Sequence, residues 1–179
     1  MVEQQGGKIR AESTVGEGST FFFDLIFERG TQEEAETPTP ELTDTITIGR
    51  PVRLLLVEDN KLNQMVAKKT LQKKWPDIEL TIADNGKLGI EAFQAGEFDI
   101  ILMDIMMPIM DGYEATQFIR NNLPPEKGSL PILAMTAHAN ISKDEQYKEY
   151  GMDDFVLKPF KPEQLFGKIA QYVNQAKKG

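Results

Sequence analysis

The 179-residue chain has no cysteine and a single histidine, His138. The first absence excludes disulfides and thiolate zinc sites, and the second leaves no His-rich metal site, so any bound metal must take oxygen ligands. Long apolar runs are missing as well. Nothing approaches the roughly 20 consecutive apolar residues of a membrane span, and the opening MVEQQGGKIR carries no apolar core behind a positive segment. A soluble, cytoplasmic chain without direct membrane contact is expected. Basic charge is scarce: 20 Lys and Arg stand against 28 Asp and Glu, a net charge of −8. Phosphate backbones are bound by clustered Lys and Arg, so nucleic acid is not an expected partner.

What is present suits one globular domain plus an appendage, with 40% hydrophobic and 27% charged residues. Composition divides the chain into three. In residues 1–28, GKIRAEST, the turn-forming VGEGS and TFFFDLIF read as a β-hairpin, with Phe21, Phe23, Leu25 and Phe27 on one face of an extended strand. Residues 29–51 are acidic, rich in threonine and interrupted by Pro38 and Pro40, which reads as a flexible linker. Residues 52–179 form the main domain. Residues 1–50 hold ten Asp and Glu against four Lys and Arg, so −6 of the net −8 lies there. The acidity of the whole therefore says little about the main domain.

From Pro51 onward the apolar runs VRLLLV, IELTIA, DIILMD, LPILAM and DFVL alternate with segments of helical period. Leu62, Met65 and Val66 share one helical face, and Leu165, Ile169, Tyr172 and Val173 share another. Five strands alternating with five helices predict a mostly parallel sheet covered on both faces. In such an α/β sheet, ligands bind beyond the carboxyl ends of the strands. The residues that close each strand therefore matter most.

Glu58 and Asp59 close the first strand, Asp104 the third, Thr136 the fourth and Lys158 the fifth. Each has an ordinary reading taken alone. The acidic pair and Thr136 could cap helices, Asp104 could sit in a turn, and Lys158 could be a solvated surface charge. Together, three carboxylates, a hydroxyl and an ammonium meet at one sheet edge. Three close acids raise one another's pKa unless something positive shares the site. Oxygen donors select a hard cation, and Mg²⁺, which takes one or two carboxylates plus a phosphate oxygen, fits best. Asp104 then reads as a carboxylate nucleophile for a phosphoryl group.

Residues 52–176 resemble the receiver domain of two-component response regulators, through LLLVEDN, ILMDIMMPIMDGYEA, AMTAHA and GMDDFVLKPF in that order. The resemblance implies a flavodoxin-like, doubly wound five-stranded parallel sheet of order 2-1-3-4-5. It implies that Asp104 is phosphorylated, that Asp59, Asp104 and the Met106 carbonyl ligate Mg²⁺, and that Glu58 acts through a bound water. Thr136 and Lys158 would bind the phosphoryl oxygens, with Lys158–Pro159 a cis peptide. Phe155 matches the switch aromatic that moves inward with Thr136, although many members carry Tyr there. Met106 and His138 match positions that set how fast the aspartyl phosphate hydrolyses; read from the sequence alone, His138 is a solvent-exposed loop residue.

The stretch GGKIRAESTVGEGSTFFFDLIF is similar to the closing strands of the histidine-kinase ATPase domain. The asparagine motif and earlier glycine box of that domain have no counterpart, so no ATP binding is expected. The resemblance thus implies a hybrid-kinase fragment with no output domain after the receiver. A histidine-kinase phosphodonor domain and a histidine phosphotransfer protein are the implied partners. Self-association through the hairpin or through the 155–173 face stays open. So do two other functions: a Mg²⁺-dependent phosphatase with an aspartyl nucleophile, and a pseudo-receiver that only binds partners. The phosphatase would want a second carboxylate two residues after the nucleophile, where Met106 stands.

Overall fold

Each short apolar run becomes a strand whose alternate residues enter opposite halves of the core. The computed structural model describes residues 8–14, 16, 18–24, 48–137 and 146–175, and the chain forms two units, Met1–Glu41 and Leu42–Gly179. In the first, β1 (Lys8–Thr14) pairs antiparallel with β2 (Gly18–Asp24), with Ala11 opposite Phe21. Gly16 and Gly18 take positive φ at the turn, where a side chain would be strained. Phe21 is 70% exposed within this hairpin. Leu25 and Phe27, residues 29–47 of the expected linker, and His138 lie outside the described residues.

The second unit contains β3 (Arg53–Val57), β4 (Glu79–Ala83), β5 (Ile100–Asp104), β6 (Ile132–Thr136) and β7 (Asp154–Leu157). All are parallel, in the order β4-β3-β5-β6-β7. Counted within the sheet this is 2-1-3-4-5, the expected order. The chain winds outward from β3 to β4, then returns to place β5 on the other side of β3. That reversal opens a crevice between the β3 and β5 ends.

The helices are α1 (Lys61–Lys74), α2 (Gly86–Ala95), α3 (Gly112–Asn122) and α6 (Pro162–Gln175), with single turns α4 (Pro125–Gly128) and α5 (Gln146–Glu149). Leu55, Val57, Ile101, Met103, Ile132 and Ala134 pack with Ile90, Phe93, Ala115 and Ile119 from α2 and α3. The alternate residues Leu54, Leu56, Ile100, Leu102, Leu133 and Met135 pack with Ala67 and Leu71 of α1 and Leu165, Ile169 and Val173 of α6. Two-sided cover explains why β5 and β6 are buried at every position.

The α1 stripe departs from expectation. Leu62 is 62% exposed and Met65 and Val66 are each 46% exposed, whereas Gln64, Ala67 and Leu71 face inward. Helix phase is set at the N-cap: Asn60 Oδ1 accepts the backbone N–H groups of Leu62 and Asn63, at 2.9 and 3.2 Å. With that phase, the more apolar stripe points outward beside the carboxyl ends of the strands.

The last residues before β3 belong with this unit. Ile48 packs against the α1/α6 side of the core, and Arg50 makes a two-pronged ion pair with Asp99, both bonds 2.8 Å. No described helix is long and apolar enough to cross a membrane.

Candidate functional site

Parallel register brings the strand ends level. Val57 pairs with Met103, Asp104 with Met135 and Thr136 with Leu157, so Glu58 and Asp59, Asp104, Thr136 and Lys158 emerge along one edge. Glu58, Asp59 and Asp104 each place a carboxylate oxygen within 4.8 Å of the others, an arrangement able to hold a metal ion. Glu58 and Asp104 are buried and Asp59 is exposed, so the cluster opens to solvent on one side.

Lys158 reaches back across the edge. Its Nζ lies 2.6 Å from Glu58 Oε2 and 2.7 Å from Asp104 Oδ2, with the Lys158 side chain 17% exposed. The reach depends on β7, whose pairing carries on past its last residue: the Lys158 N–H donates to the Thr136 carbonyl at 2.7 Å. Lys158–Pro159 is cis, as the resemblance implied. Thr136 is buried at the end of β6, next to the β5 end that carries Asp104.

Burial pushes the Asp104 carboxyl above its ordinary value; the hydrogen bond and charge of Lys158 oppose that rise, and the Glu58 charge adds to it. Crowded carboxylates with one shared ammonium leave room for further positive charge. With no thiol or imidazole among them, the donors suit a hard divalent cation.

The capping readings for the acidic residues do not hold. Asn60 caps α1, and Asp111 caps α3 in a reciprocal box with Glu114. Glu58, Asp59 and Asp104 are therefore left to the crevice. The loop after Asp104 is tight: a Cβ on Gly112 would overlap the Asp104 carbonyl oxygen. The Met106 side chain is 70% exposed, and its N–H approaches Asp104 Oδ1 at 3.4 Å. Ile109, at φ 72° and 81% exposed, is a strained β-branched residue held outward from the same loop.

Phe155 sits on β7 opposite Ala134, half-buried, edge-on to Tyr147 with ring centroids 5.3 Å apart and with Lys168 Nζ 5.0 Å over its ring. It stands two strands away from Asp104, with β6 between them, rather than in the carboxylate cluster.

Three polar residues at the start of α1, its N-cap included, escaped the sequence reading. Asn63 Nδ2 donates to Glu58 Oε1 at 2.8 Å, Gln64 Nε2 donates to the Glu58 carbonyl at 2.5 Å, and the Asn60 N–H approaches Glu58 Oε1 at 3.4 Å. The one available signal was their density after the acidic pair, in EDNKLNQ.

Comparisons with known proteins bear on this geometry. The autoinducer 2 sensor kinase/phosphatase LuxQ of Vibrio vulnificus (strain YJ016) is 34% identical over 172 residues, which cover 96% of this chain and 19% of the relative. The aerobic respiration control sensor protein ArcB of Escherichia coli (strain K12) is 32% identical over 179 residues, 96% of this chain and 21% of that one. The chain thus spans about a fifth of the length of these curated relatives. Among solved structures, the receiver domain of sensor histidine kinase PA1611 from Pseudomonas aeruginosa PAO1 has magnesium coordinated in its active site cleft. It is 33% identical with a TM-score of 0.62, covering 70% of this chain and 99% of that one. The response regulator TrrA from Thermotoga maritima, in complex with Mg(2+)-BeF, is 27% identical with a TM-score of 0.59, covering 68% and 98%. The family model for the response regulator receiver domain matches residues 54–170, the whole span from the first sheet strand into α6, and this chain belongs to that family.

Proposed function

We propose that this chain is the receiver of a hybrid histidine kinase, taking a phosphoryl group from a phosphohistidine onto Asp104 and passing it to a histidine phosphotransfer partner. The observation that carries the reading is the sharing of Lys158 between Glu58 and Asp104, at 2.6 and 2.7 Å, inside a cluster of three carboxylates. In the transfer, an Asp104 carboxylate oxygen attacks phosphorus, the P–O bond forms as the P–N bond to the imidazole breaks, and the leaving nitrogen retains the electron pair. Lys158 and Thr136 stabilise the charge on the equatorial oxygens by pre-oriented donors.

Asp59, Asp104 and the Met106 carbonyl would hold Mg²⁺, with Glu58 acting through a water. The oxygen-only donor set supports this, as do the magnesium-containing relatives of known structure. When bound, Mg²⁺ supplies positive charge against the transferred group's oxygens. Met106 and His138 tune hydrolysis of the acyl phosphate in this reading, and Thr136 with Phe155 transmits phosphorylation to the 155–173 face.

The exposed apolar side chains of Leu62, Met65, Val66, Met106 and Ile109 support a protein donor landing beside the acceptor. Residues 1–28 are proposed to be the closing hairpin of the kinase ATPase domain, with 29–51 linking it to the receiver at 52–179. Similarity to the longer sensor kinases over 96% of this chain supports that division. Because histidine phosphorylation draws on ATP, a cytoplasmic location is part of this proposal.

Incubation with acetyl phosphate and Mg²⁺, followed by intact-mass spectrometry, tests the assignment. One phosphoryl adduct is expected on the parent chain and none on Asp104→Asn. An adduct of equal yield on the variant would remove Asp104 as the acceptor, and omission of Mg²⁺ should abolish the adduct on the parent.

A further inference from the structure

Glu58 is 1% exposed, and every polar group it carries is held. Its N–H donates to the Ala83 carbonyl at 3.0 Å, and its own carbonyl accepts from Gln64, which is also buried and tied to Asp84 at 2.8 Å. The two carboxylate oxygens face different donors: Oε2 takes Lys158 Nζ, and Oε1 takes Asn63 Nδ2. An ionised carboxylate only accepts, so the end of the Asn63 amide turned toward it must be the NH₂.

That amide has no part in building the helix. The N-cap uses the Asn63 backbone N–H, leaving the side chain for Glu58. Without it, Oε1 keeps only the 3.4 Å approach of the Asn60 N–H, too long for a good hydrogen bond. A buried carboxylate in that state draws on its one strong donor. The ammonium would then be pulled from Asp104 Oδ2, 2.7 Å away, toward Glu58.

We propose that Asn63 is a positioning residue for phosphoryl transfer, locking Glu58 in the orientation that lets Lys158 divide its donors between Glu58 and Asp104. The proposal rests on Asp104 being the phosphoacceptor. It places the control of Lys158 on α1, across the crevice from the strand that carries the lysine.

The test is the rate of adduct formation in the full chain with saturating acetyl phosphate and Mg²⁺. Asn63→Ala should slow it about tenfold, as loss of an outer partner of a site commonly does, while the half-saturating acetyl phosphate concentration stays within about twofold. Alanine favours the helix, so a merely structural Asn63 would leave the rate unchanged and the melting temperature equal or higher. In a Glu58→Gln background, Asn63→Ala should cost nothing further, because its effect passes through the carboxylate. The Asn63 side-chain amide protons should be protected from exchange in the parent and lose that protection in Glu58→Gln. A rate for Asn63→Ala within about twofold of the parent, or full multiplication of the two effects, overturns the proposal. A parent chain that takes up no phosphoryl group overturns the acceptor reading, and the proposal with it.

Discussion

Two aspartates bound β5 and are treated in opposite ways. Asp99, just before the strand, is buried, which opposes its ionisation, yet hydrogen bonds and charge from Arg50 and Arg53 outweigh that and hold its carboxyl well below the usual carboxylate range. Arg50 contributes two bonds of 2.8 Å, and the Arg53 backbone N–H adds another of 2.8 Å. Asp104, at the other end, is displaced upward by burial, with one ammonium that it must share. The first arrangement favours the folded state and the second works against it, the usual sign of a site kept for chemistry. Because the folded-state pKa of Asp99 is depressed, its contribution is complete above the unfolded carboxyl's value of about 3.9 and is lost as pH falls below it. Asp99→Asn should therefore destabilise the receiver by about 1 to 2 kcal/mol at pH 7, since Asp99 is buried but both arginines are about a third exposed. Urea unfolding of parent and variant should show that gap narrowing steadily as the pH drops below about 4. An undiminished gap at low pH would mean the loss comes from packing instead. The role of Asp99 could not be read from the sequence, since Arg50 lies 49 positions away in a stretch that reads as linker.

Among the elements, α1 carries both the structural surprise and the polar cradle of Glu58. Its apolar spacing is legible, but spacing alone does not say which face turns inward. Asn60 fixes the phase, and Gln64 must face the sheet to meet the Glu58 carbonyl and Asp84, which carries Ala67 and Leu71 inward with it. Leu62, Met65 and Val66 are left outward. The polar ties of helix α6 lie at the other end of β7, Lys168 to Asp154 and Tyr172 to the Asp153 carbonyl, and of its expected stripe Leu165, Ile169 and Val173 are buried and Tyr172 is half-buried. The contrast can be measured. Leu71→Ala, at a site with no exposure, should cost about 3 kcal/mol, whereas Leu62→Ser should stay within about 0.5 kcal/mol. Chemical denaturation of both variants reads this directly, and equal losses would put the Leu62 face in the core. The strands were easier to read than α1 because burial on both faces leaves a run such as IILM little alternative. The site was legible for a related reason: its members close four separate strands, and parallel topology converts that shared position into proximity. Asn63 was not, because an asparagine on a helix carries no mark of what it will face.

For the whole molecule, the question is where the receiver begins as a folding unit. A two-stranded hairpin is marginal in water, and β1–β2 leaves Phe21 70% exposed, so the first unit has the character of a piece cut from a larger sheet. Among the described residues, the receiver's two core layers draw on residues from Ile48 onward. Two contacts just upstream of β3 belong to the receiver unit: Ile48 against the α1/α6 layer and Arg50 on the buried Asp99. A fragment beginning at Ile48 should then unfold with a free energy within about 0.5 kcal/mol of the full chain, since the described residues of both layers lie from Ile48 onward. One beginning at Val52 should lose about 1 to 3 kcal/mol, because Asp99 keeps Arg53 but loses its two-pronged partner. Denaturant midpoints of the three chains compare them directly. If the Ile48 fragment were as weak as the Val52 fragment, the upstream unit would be supporting the receiver, and the boundary would move toward the hairpin. If both matched the full chain, Arg50 would be a surface pair of no consequence, and the depressed carboxyl of Asp99 would have to rest on Arg53 alone.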